Sequence, residues 1–253
     1  MTPPLKKYID NIMPESFLRD VRKIFPGCHI SAALIELQEI TTGIAGIDIH
    51  SRLLHDAEIE RYSAFSFLKR KSEYLAGRVA AKFALANFLE LDDFSQLQDI
   101  HISNDQSGRP FAIPPTSCST LAVPDISISH SKRFGCAIAS DRYCGVDIQE
   151  PQDTLLRVYD KFCRADEEQL LSQCGSIENS IDRLTLLWAA KEAVRKSCSH
   201  RFIPGFQELS LISKETHSDS YSMTFSHRTG KSTVACRFIH GYGMAISLSE
   251  ELL

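Results

Sequence analysis

From Asp125 to Pro151 the chain reads as three extended segments in direct succession, DISISHS, RFGCAIAS and YCGVDIQEP. The first two alternate apolar and polar residues and are joined at Lys132-Arg133, the mark of a hairpin. Pro151 stops the third, because it has no amide hydrogen to give to a ladder. Helical stretches flank this run: HDAEIERYSAFSFLKRKSEYLAGRVAAKFALANFLEL at 55–91, with a break expected near 63–66, and another at 181–198. Strands joined by short turns pair antiparallel, and no βαβ rhythm runs through the chain, which predicts an α+β fold with a seam near 140–145. The halves on either side are 1–141 and 142–253.

The remaining segments fit that frame. Residues 18–40 predict a short helix, a Pro-Gly turn and a strand. Residues 99–113 predict two strands about a polar turn at Ser107-Gly108. A further helix is expected at 165–174, and the tail supplies three or four strands with polar turns. No internal sequence repeat is evident.

At 253 residues the chain is long enough for one large domain or two modest ones, each with a real core. A net charge of −4 gives no global attraction for nucleic acid or an anionic membrane, so any anion site must be local. No apolar run approaches the ~20 residues of a membrane span. The N-terminus, MTPPLKKYIDNIMPES, lacks the apolar centre of a secretion signal. The eight cysteines form no CxxC pair, and the nine histidines show no zinc-like spacing. Reduced thiols in a cytoplasm are therefore expected, without a structural zinc.

Chemistry has few places to sit. In GVDIQEP, Asp147 and Gln149 share one strand face, opposite Val146 and Ile148, and can offer two oxygens to a cation; a solvated strand end reads the same way. Glu150 falls on the other face. In LTLLWAAKEAVRKS, at about 100° per residue, Glu192 lies roughly 40° from Trp188 and Lys196 about 80° from it. Leu187, Ala190, Ala193 and Val194 face the other way. Alone, Glu192 and Lys196 are an ordinary i,i+4 pair, but the only tryptophan is seldom placed on a solvated face. In LKRKSEYLAGRVAAKFAL, Arg70 and Arg78 lie on one side of a helix, as a phosphate clamp or a basic surface. The turn SGRP, with Arg109, and the strand end SHS, with Ser129 and His130, are weaker still.

The order of these pieces says more than any one of them: KRxxEYLxGR, SGRP, ISISHS, GVDIQ, WAAKEAVRK. Over about residues 60–200 the series resembles the 4′-phosphopantetheinyl transferases of the surfactin-synthetase-activating type, in particular the enterobactin-synthetase component D branch. That family shows a basic helix ending in GR, a G-K/R-P turn, an SHS segment, a G-[IV]-D-I-E strand and a W-x-x-K-E-[AS]-x-x-K helix.

The resemblance implies a pseudo-dimer of two similar α+β halves with the active site at their interface. It implies transfer of phosphopantetheine from coenzyme A to a serine of an apo acyl or peptidyl carrier protein, releasing 3′,5′-ADP. Mg2+, or Mn2+ in its place, is the implied cofactor. Asp147, Gln149 and Glu192 match the metal positions, Glu192 also the base, and Lys196 the lysine on the pyrophosphate. Arg70, Arg78, Arg109, Ser129 and His130 match positions that grip the nucleotide. Gln149 stands where the family usually has Glu, so one negative charge is gone. No nucleic acid or membrane partner follows, and a monomer in the cytoplasm, serving a pathway such as siderophore synthesis, is the expectation. Two rivals use the same residues: a coenzyme A- or carrier-binding module without turnover, and a metal-dependent nucleotide hydrolase.

Overall fold

The computed structural model describes residues 13–38, 53–91, 94–113, 123–173, 179–198 and 203–252. The chain divides into two compact units, one built on Cys28–Arg142 and the other on Glu15–Gly27 with Tyr143–Leu252.

In the first unit, strand β1 (Ile30–Glu36) pairs antiparallel with β5 (Phe134–Ser140), and β5 with β4 (Asp125–Ser131). Across this sheet lies the long helix α3 (Leu68–Phe88), preceded by α2 (Asp56–Ala64). The break between the helices falls at 65–67, where Phe65 and Phe67 turn extended and close the run of helical bonds. Apolar residues of α3, among them Leu75, Val79 and Phe83, bury against Ile35, Ile126 and Ala137 of the sheet. Close approach requires Gly135: a Cβ there would lie 2.7 Å from that of Ala76 on the helix. The short strands β2 (His101–Asn104) and β3 (Pro110–Ile113) form a separate hairpin.

In the second unit, β6 (Arg142–Gln149), β7 (Ser210–His217), β8 (Ser220–His227), β9 (Gly230–Ile239) and β10 (Tyr242–Leu252) form a sheet in the order β6-β10-β9-β8-β7. Helix α6 (Ser180–Ser197) packs on it, with the smaller α4 (Thr154–Val158) and α5 (Ala165–Gln173) nearby in sequence. Leu187, Ala190, Ala193 and Val194 are buried against Leu211, Met223, Phe225 and Val234, the face expected from their spacing. Gly145 of β6 plays the part of Gly135, since any Cβ there would overlap the carbonyl oxygen of Ala193.

Chain order alone puts helix α1 (Glu15–Ile24) in the half 1–141, but the fold counts it with the second unit. It packs on β8 and β9 and buries Phe17, Leu18 and Val21. Ser220 Oγ donates to its Asp20 at 2.8 Å.

A repeat that the sequence hides is visible as a side-chain lock. Lys82 of α3 is fully buried, donates to the carbonyls of Leu97 and Ile100, and pairs with Glu58 at 2.8 Å. Glu58 also accepts from the amides of His55 and Ile102. In the second unit Lys191 of α6 is fully buried, donates to the carbonyls of Phe162 and Phe206, and pairs with Glu167 at 2.8 Å. Glu167 accepts from the amides of Arg164 and Leu211. Both glutamates precede their lysine by 24 residues and their strand amide by 44. Burial pushes both lysines below their ordinary pKa, and the paired glutamate pulls each back up. The same lock at the same spacing recurs in both units, although their sequences show no evident repeat.

The described cysteines are all free thiols; Cys118 and Cys174 lie outside the described residues. Among those residues no helix is long and apolar enough to cross a membrane.

Candidate functional site

The residues singled out in the sequence gather in two places, one in each unit. In the second unit, the residue after the lock lysine is Glu192; in the first it is Phe83, buried in the core. One scaffold therefore presents an acid where the other presents packing. Asp147, central in β6, is almost wholly buried, and its carboxylate accepts from Lys196 Nζ at 2.8 Å. The same ammonium donates to the carbonyl of Val146 at 2.9 Å. Glu192, one turn before Lys196, has a carboxyl pushed up by burial and then by the negative charge of Asp147, while Lys196 and Arg195 pull it down. Strand and helix thus bring two like charges into one electrostatic neighbourhood.

Trp188 is packed between aromatic rings. It meets Phe162 edge-on at 5.0 Å and stacks on Phe206 at 4.6 Å. This explains an aromatic one turn before the acid: it fills the gap between α6 and the segments whose carbonyls hold Lys191.

Gln149 donates its amide hydrogen to the Glu150 carbonyl at 3.1 Å. The Glu150 carboxylate accepts from Gln152 and from the Tyr242 hydroxyl. Among the described residues no three His, Cys, Asp or Glu side chains cluster as a complete metal cage. The donor set still fits Mg2+, which takes hard oxygens and is commonly held by one or two carboxylates plus substrate phosphates. A cation held by Asp147 and Glu192 would offset the Asp147 charge that, after burial, raises the Glu192 pKa.

In the first unit a cleft of about 860 Å³ is lined by Arg70, Glu73, Tyr74, Arg78, Asn104 and His130, among others. Arg78 is 6% exposed. Its Nη2 donates to Asn104 Oδ1 at 2.6 Å and its guanidinium lies 4.9 Å from the Tyr74 ring centre, but its buried Nε has no hydrogen-bond partner. A buried charged donor left unpaired is costly. Arg70 is exposed at the rim, and His130 Nδ1 is 3.9 Å from Glu73. The expected set is not gathered completely. Arg109 does not line the cleft; its guanidinium pairs with Asp125 through two hydrogen bonds. Ser129 is buried on β4. Glu73, Tyr74 and Asn104 went unassigned in the sequence; EYL stood inside the motif, but a lone Asn at a strand end carries no signal.

Comparison with known proteins places the chain in a family. Residues 143–246 match the profile of the 4′-phosphopantetheinyl transferase superfamily. The chain is 42% identical over 88 residues to a holo-[acyl-carrier-protein] synthase of Bacillus subtilis, covering 34% of this chain and 70% of that protein. It is 32% identical over 152 residues to enterobactin synthase component D of Salmonella typhi, covering 57% of this chain and 56% of that protein. Among solved structures, a holo-(acyl-carrier-protein) synthase from Bacillus anthracis in complex with CoA (3′,5′-ADP) is similar at 29% identity, with a TM-score of 0.37, over 44% of this chain and 93% of that one. The chain belongs to the 4′-phosphopantetheinyl transferase superfamily.

Proposed function

We propose that this protein transfers 4′-phosphopantetheine from coenzyme A to the serine hydroxyl of an apo carrier protein and releases 3′,5′-ADP. One observation carries the reading: within the matched region, Asp147, Glu192 and Lys196 form an acid–acid–base cluster on a strand and its covering helix. Attack on the β-phosphorus of a pyrophosphate loads charge onto phosphoryl oxygens and leaving group. Bound Mg2+ would neutralise part of that charge, held by Asp147 and Glu192 with Gln149 as a neutral oxygen donor. Lys196 Nζ donates to Asp147, within reach of a phosphate placed there. Glu192, its proton affinity raised by burial, accepts the proton of the carrier serine directly or through water. In the first unit, Arg70, Arg78 and His130 hold the nucleotide phosphates in the cleft. The resemblance to component D favours a carrier of siderophore synthesis.

The test is to incubate the protein with coenzyme A, Mg2+ and an apo carrier, then weigh the carrier by mass spectrometry. Gain of one phosphopantetheine is expected. Unchanged carrier with consumed coenzyme A would make the protein a hydrolase, and no turnover at all would make it a binding module.

The cleft gives a separate prediction. Replacing Arg78 with alanine removes a charge-assisted contact of about 1.5–3 kcal/mol. Coenzyme A affinity, read by calorimetry, should fall roughly ten- to a hundredfold. Unchanged affinity would remove Arg78, and the cleft with it, from the nucleotide site.

A further inference from the structure

Arg195 has no part in the chemistry described so far. It occupies an open position of the W-x-x-K-E-[AS]-x-x-K pattern, and an i,i+3 pair on a helix surface is ordinarily worth little. Its surroundings are not those of a surface arginine. Nη1 donates to Glu192 Oε1 at 3.0 Å, Nε donates to the carbonyl of Pro204 at 3.0 Å, and the guanidinium carbon lies 4.6 Å from the centre of the Phe206 ring. Phe206 stacks in turn on Trp188, and its carbonyl accepts from the buried Lys191. The guanidinium is thus fixed on one face by a ring and along one edge by a carbonyl, and a planar fork held this way has little rotamer freedom left. What it holds is one oxygen of Glu192. Among the described residues, Oε2 of that carboxylate takes no hydrogen bond.

We infer that Arg195 is a positioning residue: anchored by Pro204 and Phe206, it fixes the Glu192 carboxylate through Oε1 and leaves Oε2 to the metal. The inference rests on the reading of Glu192 as a ligand. It assigns the 204–206 segment, more than fifty positions along the chain from Asp147, to setting the geometry of the site. Partners behind a metal ligand commonly change metal affinity ten- to a hundredfold when removed.

The sign of the effect separates positioning from charge. Deleting a cation beside two carboxylates should tighten divalent metal by electrostatics alone. Losing the anchor of a ligand should weaken it. Mn2+ titrated into the full chain, with free ion read from its electron paramagnetic resonance signal, measures this without turnover. Arg195→Ala is expected to bind Mn2+ roughly tenfold more weakly than wild type. Arg195→Lys, which keeps the charge but cannot hold carbonyl and carboxylate in one plane, should also bind more weakly. Circular dichroism shows which variants remain folded, and Phe206→Leu, which leaves Arg195 and Glu192 in place but removes the ring, should weaken Mn2+ in the same direction. Glu192→Gln is the control for the underlying reading. If it binds Mn2+ like wild type, Glu192 is no ligand and the reading fails first. If it binds weakly while Arg195→Ala binds as tightly as wild type or tighter, Glu192 stands and the role of Arg195 is overturned.

Discussion

Asp147→Ala and Glu192→Gln are each expected to slow phosphopantetheine transfer by roughly a thousandfold, the rate equivalent of the several kcal/mol that charge neutralisation at phosphoryl oxygens supplies. Single-turnover mass spectrometry of the carrier measures it. Glu192→Gln should at the same time stabilise the fold, which a merely structural glutamate would not do. Burial, and next the charge of Asp147, raise the Glu192 carboxyl above its ordinary 4.5. The folded chain therefore holds that proton more tightly than the unfolded one. Stability from this group is full below the unfolded value and is lost as pH rises through the folded one. Glutamine removes the loss, so the variant should melt above wild type at neutral pH in chelator, and the gap should close as the pH falls towards 4.5. The pair lost with Arg195 is partly exposed and contributes little against this. A variant that melts below wild type at neutral pH would show that the folded chain does not raise the Glu192 carboxyl.

The second large effect lies in the lock. Lys191→Met leaves the Glu167 carboxylate fully buried, with backbone amides but no cation, and strips the Phe162 and Phe206 carbonyls of their donor. Breaking a buried pair from one side costs about 3–5 kcal/mol. Trp188 touches both of those phenylalanines and is the only tryptophan, so its fluorescence during urea unfolding reports on this region directly. Adding Glu167→Gln should recover part of the loss, because a neutral amide can still accept from Leu211 without a stranded charge. If the double variant is no more stable than the single one, the unpaired charge is not the cause.

The lock also bears on which unit carries the chemistry. Both units hold their long helix with the same lysine and glutamate, so the lock belongs to the fold. What differs is the neighbour of the lysine, Phe83 in one and Glu192 in the other.

Local pattern determined much of this protein. The hairpin Asp125–Ser140, the helix break after Ala64, the apolar face of Leu187, Ala190, Ala193 and Val194, and the placing of Glu192 and Lys196 on one helix all follow from period and spacing. These features depend on residues a few positions apart, whose geometry the backbone repeat fixes. Tertiary structure alone decided the rest. Helix α1 left its half of the sequence because an amphipathic helix needs only an apolar face to cover, and β8 and β9 offered one. Arg109 went to Asp125, because a guanidinium near a carboxylate pairs with it whatever motif it belongs to. Arg195 met Pro204 and Phe206, residues beyond the helix that no helical period places beside it. The repeat stayed hidden because each copy rests on two charged side chains 24 residues apart and a strand amide 44 away, while the residues between are free to vary as long as they pack.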